Sequence, residues 1–303
     1  SWLSSFDLRK KNKVITTDGE FHSLFRQLHR LEEEGLELVM VEAASDRIVE
    51  QIEQSIDDNT AAIMLSRVYF RSALINDHIP HIVKLARNHR IPFLIDDYHG
   101  TNVVPLSIRE AGLDDCYLLI GGYKYLQWGE GNCFLRFPDN CKLRPAVTGW
   151  FASFNTLDNP RTEKEPVAYD EGDQRFASGT YDSVSQFRAV RVVDFFRKQE
   201  LTPQRLATQY RRQVGLMREL FVQQQFDKKV IGLHSGVPLH RIGGFLSLRS
   251  ESAPELHERL LEKGVWTDAR GEILRMGPAP YITTRQIEQA MERLSEVIRE
   301  ISP

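Results

Sequence analysis

Ile91-Pro92-Phe93-Leu94-Ile95-Asp96-Asp97-Tyr98-His99 is an apolar run that ends in two carboxylates and an imidazole. Residues 91–95 read as a buried strand, because a short apolar run bounded by polar residues fits a sheet interior. Asp96 then falls at the strand's carboxyl end, with His99 in the loop beyond it.

Upstream, Lys13–Thr17, Leu36–Val41 and Ala61–Leu65 read as further strands. Between them, Phe21, Leu24, Phe25, Leu28 and Leu31 keep helical spacing, as do Ile48, Val49, Ile52 and Ile56. Pro80 ahead of Ile82, Val83, Leu85 and Ala86 marks another helix, ending near Arg90. Downstream, a short helix is expected over Leu106–Ala111, and strands over Cys116–Ile120 and Asn132–Phe137. Strands alternating with helices predict an α/β domain with a largely parallel sheet. Such sheets bind ligands beyond the carboxyl ends of their strands.

Arg144 to Gly179 shows no clear period and carries Pro145, Pro160 and Pro166. An irregular segment of that length inside a compact domain is usually functional or mobile. Helices follow over Ser183–Gln199 and Pro203–Gln225. Strands over Gly244–Leu248 and Val265–Asp268 flank a helix over Ala253–Lys263. Ile287, Ala290, Met291, Leu294, Val297, Ile298 and Ile301 form the apolar stripe of a last helix. The domain change is placed at Ser183, giving units 1–182 and 183–303.

Composition narrows the function classes. The 303 residues carry 39 Lys+Arg against 42 Asp+Glu, a net charge of −3. That balance gives no overall basic footprint for nucleic acid or anionic membrane, and neither is an expected partner. The three cysteines, Cys116, Cys133 and Cys141, form no disulfide framework, and no metal-ligand spacing accompanies them. A cytoplasmic setting and no metal are therefore expected. No apolar run is long enough to span a bilayer, and the start has no basic region leading into an apolar stretch. The chain also lacks an initiator Met, so it is expected to begin partway through a gene product.

Gly121-Gly122-Tyr123-Lys124-Tyr125-Leu126 puts a lysine just past a buried strand. Such a lysine is either a solvated surface residue or a partly desolvated amine whose lowered pKa makes it a usable nucleophile. Asp96 could cap a turn, or could pair with the ring nitrogen of a pyridine cofactor, making that ring a better electron sink. His99 reads equally as a hydrogen-bonded core or loop histidine. Lys124 follows Asp96 by 28 residues, about one strand-helix-strand unit, so both can reach one sheet edge.

With Asp96-x-x-His99 and Tyr123-Lys124-Tyr125-Leu126 in that order, followed by Gly149-Trp150 and Phe176-Ala177-Ser178-Gly179-Thr180, the sequence resembles fold-type-I enzymes of the class V aminotransferase group. Within that group it is most similar to kynureninase. The resemblance implies a PLP-dependent transferase-like fold: a three-layer α/β/α large domain with a mostly parallel sheet, plus a smaller C-terminal α+β domain. It implies pyridoxal 5'-phosphate (PLP) as cofactor and an amino acid as substrate. Lys124 would form the Schiff base, and Asp96 would pair with the pyridinium nitrogen. His99 would lie near the ring and help orient Asp96 or a cofactor oxygen. Tyr123 would bind the phosphate and could act as an acid or base. Phe21 matches the position whose ring stacks on the pyridine, although it also reads as a core aromatic opening a helix. Trp150 and Thr180 match positions that reach the phosphate from a neighbouring subunit, which implies a homodimer with shared active sites. Arg275, in Ile273-Leu274-Arg275-Met276-Gly277, matches the arginine that holds the substrate carboxylate. Arginine suits that bidentate contact, while an isolated strand arginine can also be a surface residue.

The sequence departs from the kynureninase pattern in places. The family has roughly another quarter of its length ahead of this start, set against the length prior, with a phosphate-binding helix N-terminus in it. Gly179-Thr180-Tyr181 stands where kynureninases carry Asn-Pro, and Leu24 replaces an expected acid. Kynureninase-like hydrolysis of a Cβ–Cγ bond is the leading expectation, with transamination, β-elimination and a non-catalytic PLP-fold protein as alternatives. A persulfide-forming cysteine desulfurase is set aside because no cysteine follows Cys141. A dinucleotide-binding enzyme lacks its glycine fingerprint.

Overall fold

Consecutive strand residues point to opposite sheet faces, and here both faces are apolar. Val14, Ala62, Met64, Leu94 and Tyr117 enter one core cluster. Their chain neighbours Ile15, Ile63, Leu65, Ile95 and Leu118 enter another. A sheet buried on both faces needs a helical layer on each. The computed structural model, which describes residues 1–159 and 165–301, supplies both.

The large sheet comprises β1 (Lys13–Thr17), β2 (Glu37–Val41), β3 (Thr60–Ser66), β4 (Phe93–Asp96), β5 (Tyr117–Gly121) and β6 (Cys133–Arg136). Its order is β2-β1-β3-β4-β5-β6, parallel except for the antiparallel β6. Helix α1 (His22–Glu32) covers one face with Leu24 and Leu28. Helices α2 (Ile48–Ser55) and α3 (Ile79–Asn88) cover the other with Ile48, Ile52, Ile82 and Val83. Strand order reverses between β1 and β3, the switch point beyond which such sheets open a ligand crevice.

Helix α4 (Ser183–Lys198) starts where Asp182 accepts the Val184 amide at 2.9 Å. Helix α5 (Pro203–Gln223) starts where Thr202 accepts the Arg205 amide at 3.2 Å, with Pro203 in its first turn. A second, antiparallel sheet has the order β7 (Gly232–Leu233), β8 (Leu246–Arg249), β10 (Ile273–Met276), β9 (Asp268–Arg270). Helices α5, α6 (Ala253–Glu262) and α7 (Thr284–Ile301) share a core with it that includes Met217, Leu248, Leu260, Leu274 and Leu294. The two sheets meet through the segment after β3. Ile75 donates its amide to Arg241 at 2.9 Å, and Ser247 Oγ donates to the Arg71 carbonyl at 2.5 Å.

Three expectations need correction. Leu106–Ala111 forms turns, not a helix. The Ala111 amide closes one turn on Ser107, and Gly112 at φ +66° ends it before a second can form. The strand expected at Val265–Asp268 begins only at Asp268. Arg144–Gly179 is not wholly irregular: 3₁₀ turns occur at Trp150–Thr156 and Asp173–Phe176. Pro160 lies outside the described residues. No helix among the described residues is long and apolar enough to cross a membrane.

Candidate active site

The carboxyl ends of β4 and β5 and the start of α1 converge on a cavity of about 570 Å³. Phe21, Asp96, His99, Tyr123 and Lys124 all line it. Phe21 opens α1 just past β1, Asp96 ends β4, and Lys124 follows β5 after Gly121 and Gly122. A Cβ at Gly121 would overlap the Tyr98 ring, so glycine there lets the two loops close on each other.

Asp96 is held from behind. Its Oδ1 accepts the Tyr98 amide at 2.9 Å, and its carbonyl accepts the Arg67 amide at 2.9 Å. Oδ2 has no hydrogen-bond donor among the described residues. Burial, together with the neighbouring Asp97 charge, raises the carboxyl to about 6. A half-satisfied buried carboxylate facing a cavity calls for a cationic N–H donor, which a protonated pyridine nitrogen provides. His99 makes no hydrogen bond to Asp96; the Tyr98 amide does that work. His99 is buried, and desolvation with the Lys124 and Arg275 charges lowers it to about 3, leaving a neutral imidazole.

Lys124 has no hydrogen-bond or ion-pair partner among the described residues. Its Nζ lies 5.9 Å from the Phe21 ring centroid and 5.2 Å from that of Tyr123. Burial and the Arg275 charge hold the amine below the ordinary lysine value. Burial also raises Tyr123, keeping its phenol protonated and able to donate. The loop beyond Lys124 is tied to α4: Arg188 Nε donates to the Trp128 carbonyl at 2.6 Å, and Asn132 Nδ2 to that of Ser185 at 2.6 Å.

A second cavity of about 410 Å³ shares Lys124 and His99 with the first and adds Arg275. Arg275 comes from β10, so the small sheet completes the site. Trp150 and Thr180 are exposed and line neither cavity.

Several residues around the site have no distinctive sequence signal. Glu20 is fully buried between Thr17 Oγ1 at 2.6 Å and Ser66 Oγ at 2.5 Å, and burial raises it to about 7. Ser66 pairs with Asp96 across β3 and β4, so Glu20 braces the strand end beside Asp96. Arg67 and Asp97 form a buried bidentate pair at 2.5 and 3.0 Å, and Asp97 also accepts Thr101 Oγ1 at 2.6 Å. The two adjacent carboxylates divide the work: Asp96 lines the cavity and Asp97 anchors its loop. Asp97→Ala strands the Arg67 charge in the interior and is expected to cost about 3–5 kcal/mol. Urea denaturation would measure that loss. Removing both partners for apolar residues should cost less.

Comparison with known proteins follows this geometry. The aminotransferase class-V family description matches residues 1–203, and the kynureninase C-terminal domain description matches residues 212–294. The chain is 26% identical to the kynureninase of Pseudomonas fluorescens over 277 residues, covering 88% of this chain and 63% of that protein. It is 24% identical to an uncharacterized aminotransferase, YcbU, of Bacillus subtilis (strain 168), covering 97% of this chain and 75% of that protein. A solved structure of a C-DES mutant with glycine covalently linked to the PLP cofactor superposes with TM-score 0.77 at 14% identity. It covers 95% of this chain and 75% of that one. Because the first description spans 203 of 303 residues, the chain belongs to the class V aminotransferase family, whose enzymes depend on pyridoxal phosphate.

Proposed function

We propose that the chain acts on an α-amino acid through a Schiff base at Lys124, with kynureninase-like hydrolysis of a Cβ–Cγ bond as the reaction. The observation that carries the cofactor reading is the convergence of Lys124, Asp96, Phe21 and Tyr123 on one cavity at the sheet's carboxyl edge. The kynureninase C-terminal match supports the choice of reaction.

Bound there, PLP supplies an electron sink that stabilises negative charge developing at the substrate Cα. Burial lowers the proton affinity of Lys124 Nζ, which suits it to hold the cofactor's aldehyde carbon as a Schiff base and to carry the substrate Cα proton once released. Asp96 would accept from the ring nitrogen and favour its protonated form. Phe21 would hold the ring face, Tyr123 O–H would donate to the phosphate, and neutral His99 would donate to a ring oxygen. Arg275 receives the substrate carboxylate. Water added to the side-chain carbonyl then lets the Cβ–Cγ bond break, giving alanine and a carboxylic acid.

Incubation with kynurenine should release alanine and an aromatic acid. Transfer of the amino group to a 2-oxo acid, with no carbon–carbon cleavage, would instead support transamination. The match to the aminotransferase over 97% of the chain makes that the second reading. Failure of both reactions in a PLP-loaded protein would leave β-elimination and the non-catalytic reading.

We further propose a homodimer in which Trp150 and Thr180 reach the partner's phosphate, and a unit boundary at 182/183. Helix α4 supports the dimer: Val184 is 71% and Phe187 74% exposed, on one face of that helix. Trp150 is also exposed, at 49%, beside Phe151 and Phe154. A monomeric soluble protein rarely exposes large contiguous apolar patches. Phe187→Glu should shift the mass in solution from twice 35.0 kDa to 35.0 kDa. Sedimentation would measure it, and an unchanged dimer would move the interface elsewhere.

A further inference from the structure

Arg275 and Asp268 stand directly opposite each other in the β10–β9 pairing. Asp268 Oδ2 accepts Arg275 Nε at 2.7 Å and also Arg275 Nη2. Its other oxygen, Oδ1, pairs with Arg270 Nη2 at 3.1 Å. Arg275 Nη1 donates to the Phe70 carbonyl at 2.7 Å, across from the segment after β3. The guanidinium carbon lies 5.4 Å from the Phe245 ring centroid and 5.9 Å from that of Phe70. The Arg275 side chain is only 14% exposed. A guanidinium has five N–H donors. Three are engaged, which fixes its plane and leaves two for a ligand.

Two roles are open to a carboxylate in this place. It could occupy the arginine as a substrate mimic, or it could hold the arginine ready. A mimic would meet the fork with both oxygens, as carboxylates do in bidentate pairs. Asp268 instead gives one oxygen to Arg275 and the other to Arg270. It is committed to two cations and leaves part of the Arg275 fork unused. Both Asp268 and Arg275 line the cavity that contains Lys124.

We propose that Asp268 is a positioning residue for carboxylate recognition: it fixes the Arg275 plane so that the remaining N–H groups receive the α-carboxylate of an amino acid. This rests on the reading of Arg275 as the carboxylate-binding residue. A pre-oriented arginine loses less side-chain freedom when ligand arrives, so Asp268 strengthens binding without touching the reacting atoms.

The test uses PLP-loaded protein and the change in its visible absorbance on adding L-alanine or ethylamine, which lacks the carboxylate. Asp268→Ala should weaken L-alanine binding at least about tenfold, the scale of a lost hydrogen bond to a charged group. Ethylamine binding should stay within about twofold on that same argument. Asp268→Asn keeps one oxygen acceptor and should recover part of the loss; it also serves if the alanine variant does not fold. In turnover, KM should rise while kcat holds. Unchanged or tighter alanine binding in both Asp268 variants, with weakened binding in Arg275→Met, would overturn the proposal alone. Unchanged binding in Arg275→Met would overturn the reading of Arg275 and the proposal with it. Equal weakening of alanine and ethylamine would reduce Asp268 to general structural support and also overturn it.

Discussion

Lys124→Ala is expected to lower turnover by roughly a million-fold, the scale seen when an enzyme loses its nucleophile. Among the described residues no other lysine lines either cavity, so none of them offers a neighbouring side-chain amine to take over. Arginine at this position should not rescue, because a guanidinium stays protonated and cannot attack. The fold should survive. Lys124 is half-buried and has no hydrogen-bond partner among the described residues, so a change within about 1 kcal/mol is expected. Turnover and a denaturation midpoint on the same sample separate the two effects. A variant that turns over normally would remove Lys124 from the chemistry.

Asp96→Ala is expected to cost about 10²–10³-fold in kcat, the scale of deleting one preorganised electrostatic partner. The physical reason lies in how the carboxylate is prepared. The Tyr98 amide satisfies Oδ1, Oδ2 has no donor among the described residues, Asp96 lines the cavity, and burial pushes the group up to about 6. A cationic ring nitrogen opposite it would draw that value down again and keep Asp96 ionised at neutral pH. Asp96→Asn keeps the shape but loses the charge, and should fall nearly as far in kcat. Asp96→Asn should not destabilise the cofactor-free protein strongly, because it removes a desolvated charge and keeps an oxygen for the Tyr98 amide; Asp96→Ala leaves that amide unpaired and should cost about 1–3 kcal/mol. Normal kcat in Asp96→Asn would contradict the electron-sink role.

The sheet was legible because its signals are local. Lys13–Thr17 is strand from end to end, residues 61–65 lie within β3, and of the run 91–95 residues 93–95 lie in β4. Asp96 and Lys124 could be placed at one sheet edge because parallel strands separated by one unit bring their carboxyl ends together. The short helix expected over Leu106–Ala111 does not form because Gly112, at φ +66°, ends the turn too soon. Asp268 carried no signal, because its contact with Arg275 depends on the register of β9 against β10. Glu20 was equally silent: its burial arises only when β1 and β3 lie side by side. Trp150 and Thr180 line neither of the two cavities at Lys124, so their reading depends on the resemblance and a second copy.

The most direct measurement is intact mass, with peptide mapping, after borohydride reduction of the protein incubated with PLP, on the wild type and on Lys124→Ala. A single pyridoxal-phosphate adduct on the wild type, mapped to Lys124 and absent from the variant, is the predicted result. An equal adduct on both proteins, or none on this chain and on any longer natural form of it, would contradict the assignment of the cavity at the end of β5 as a Schiff-base site.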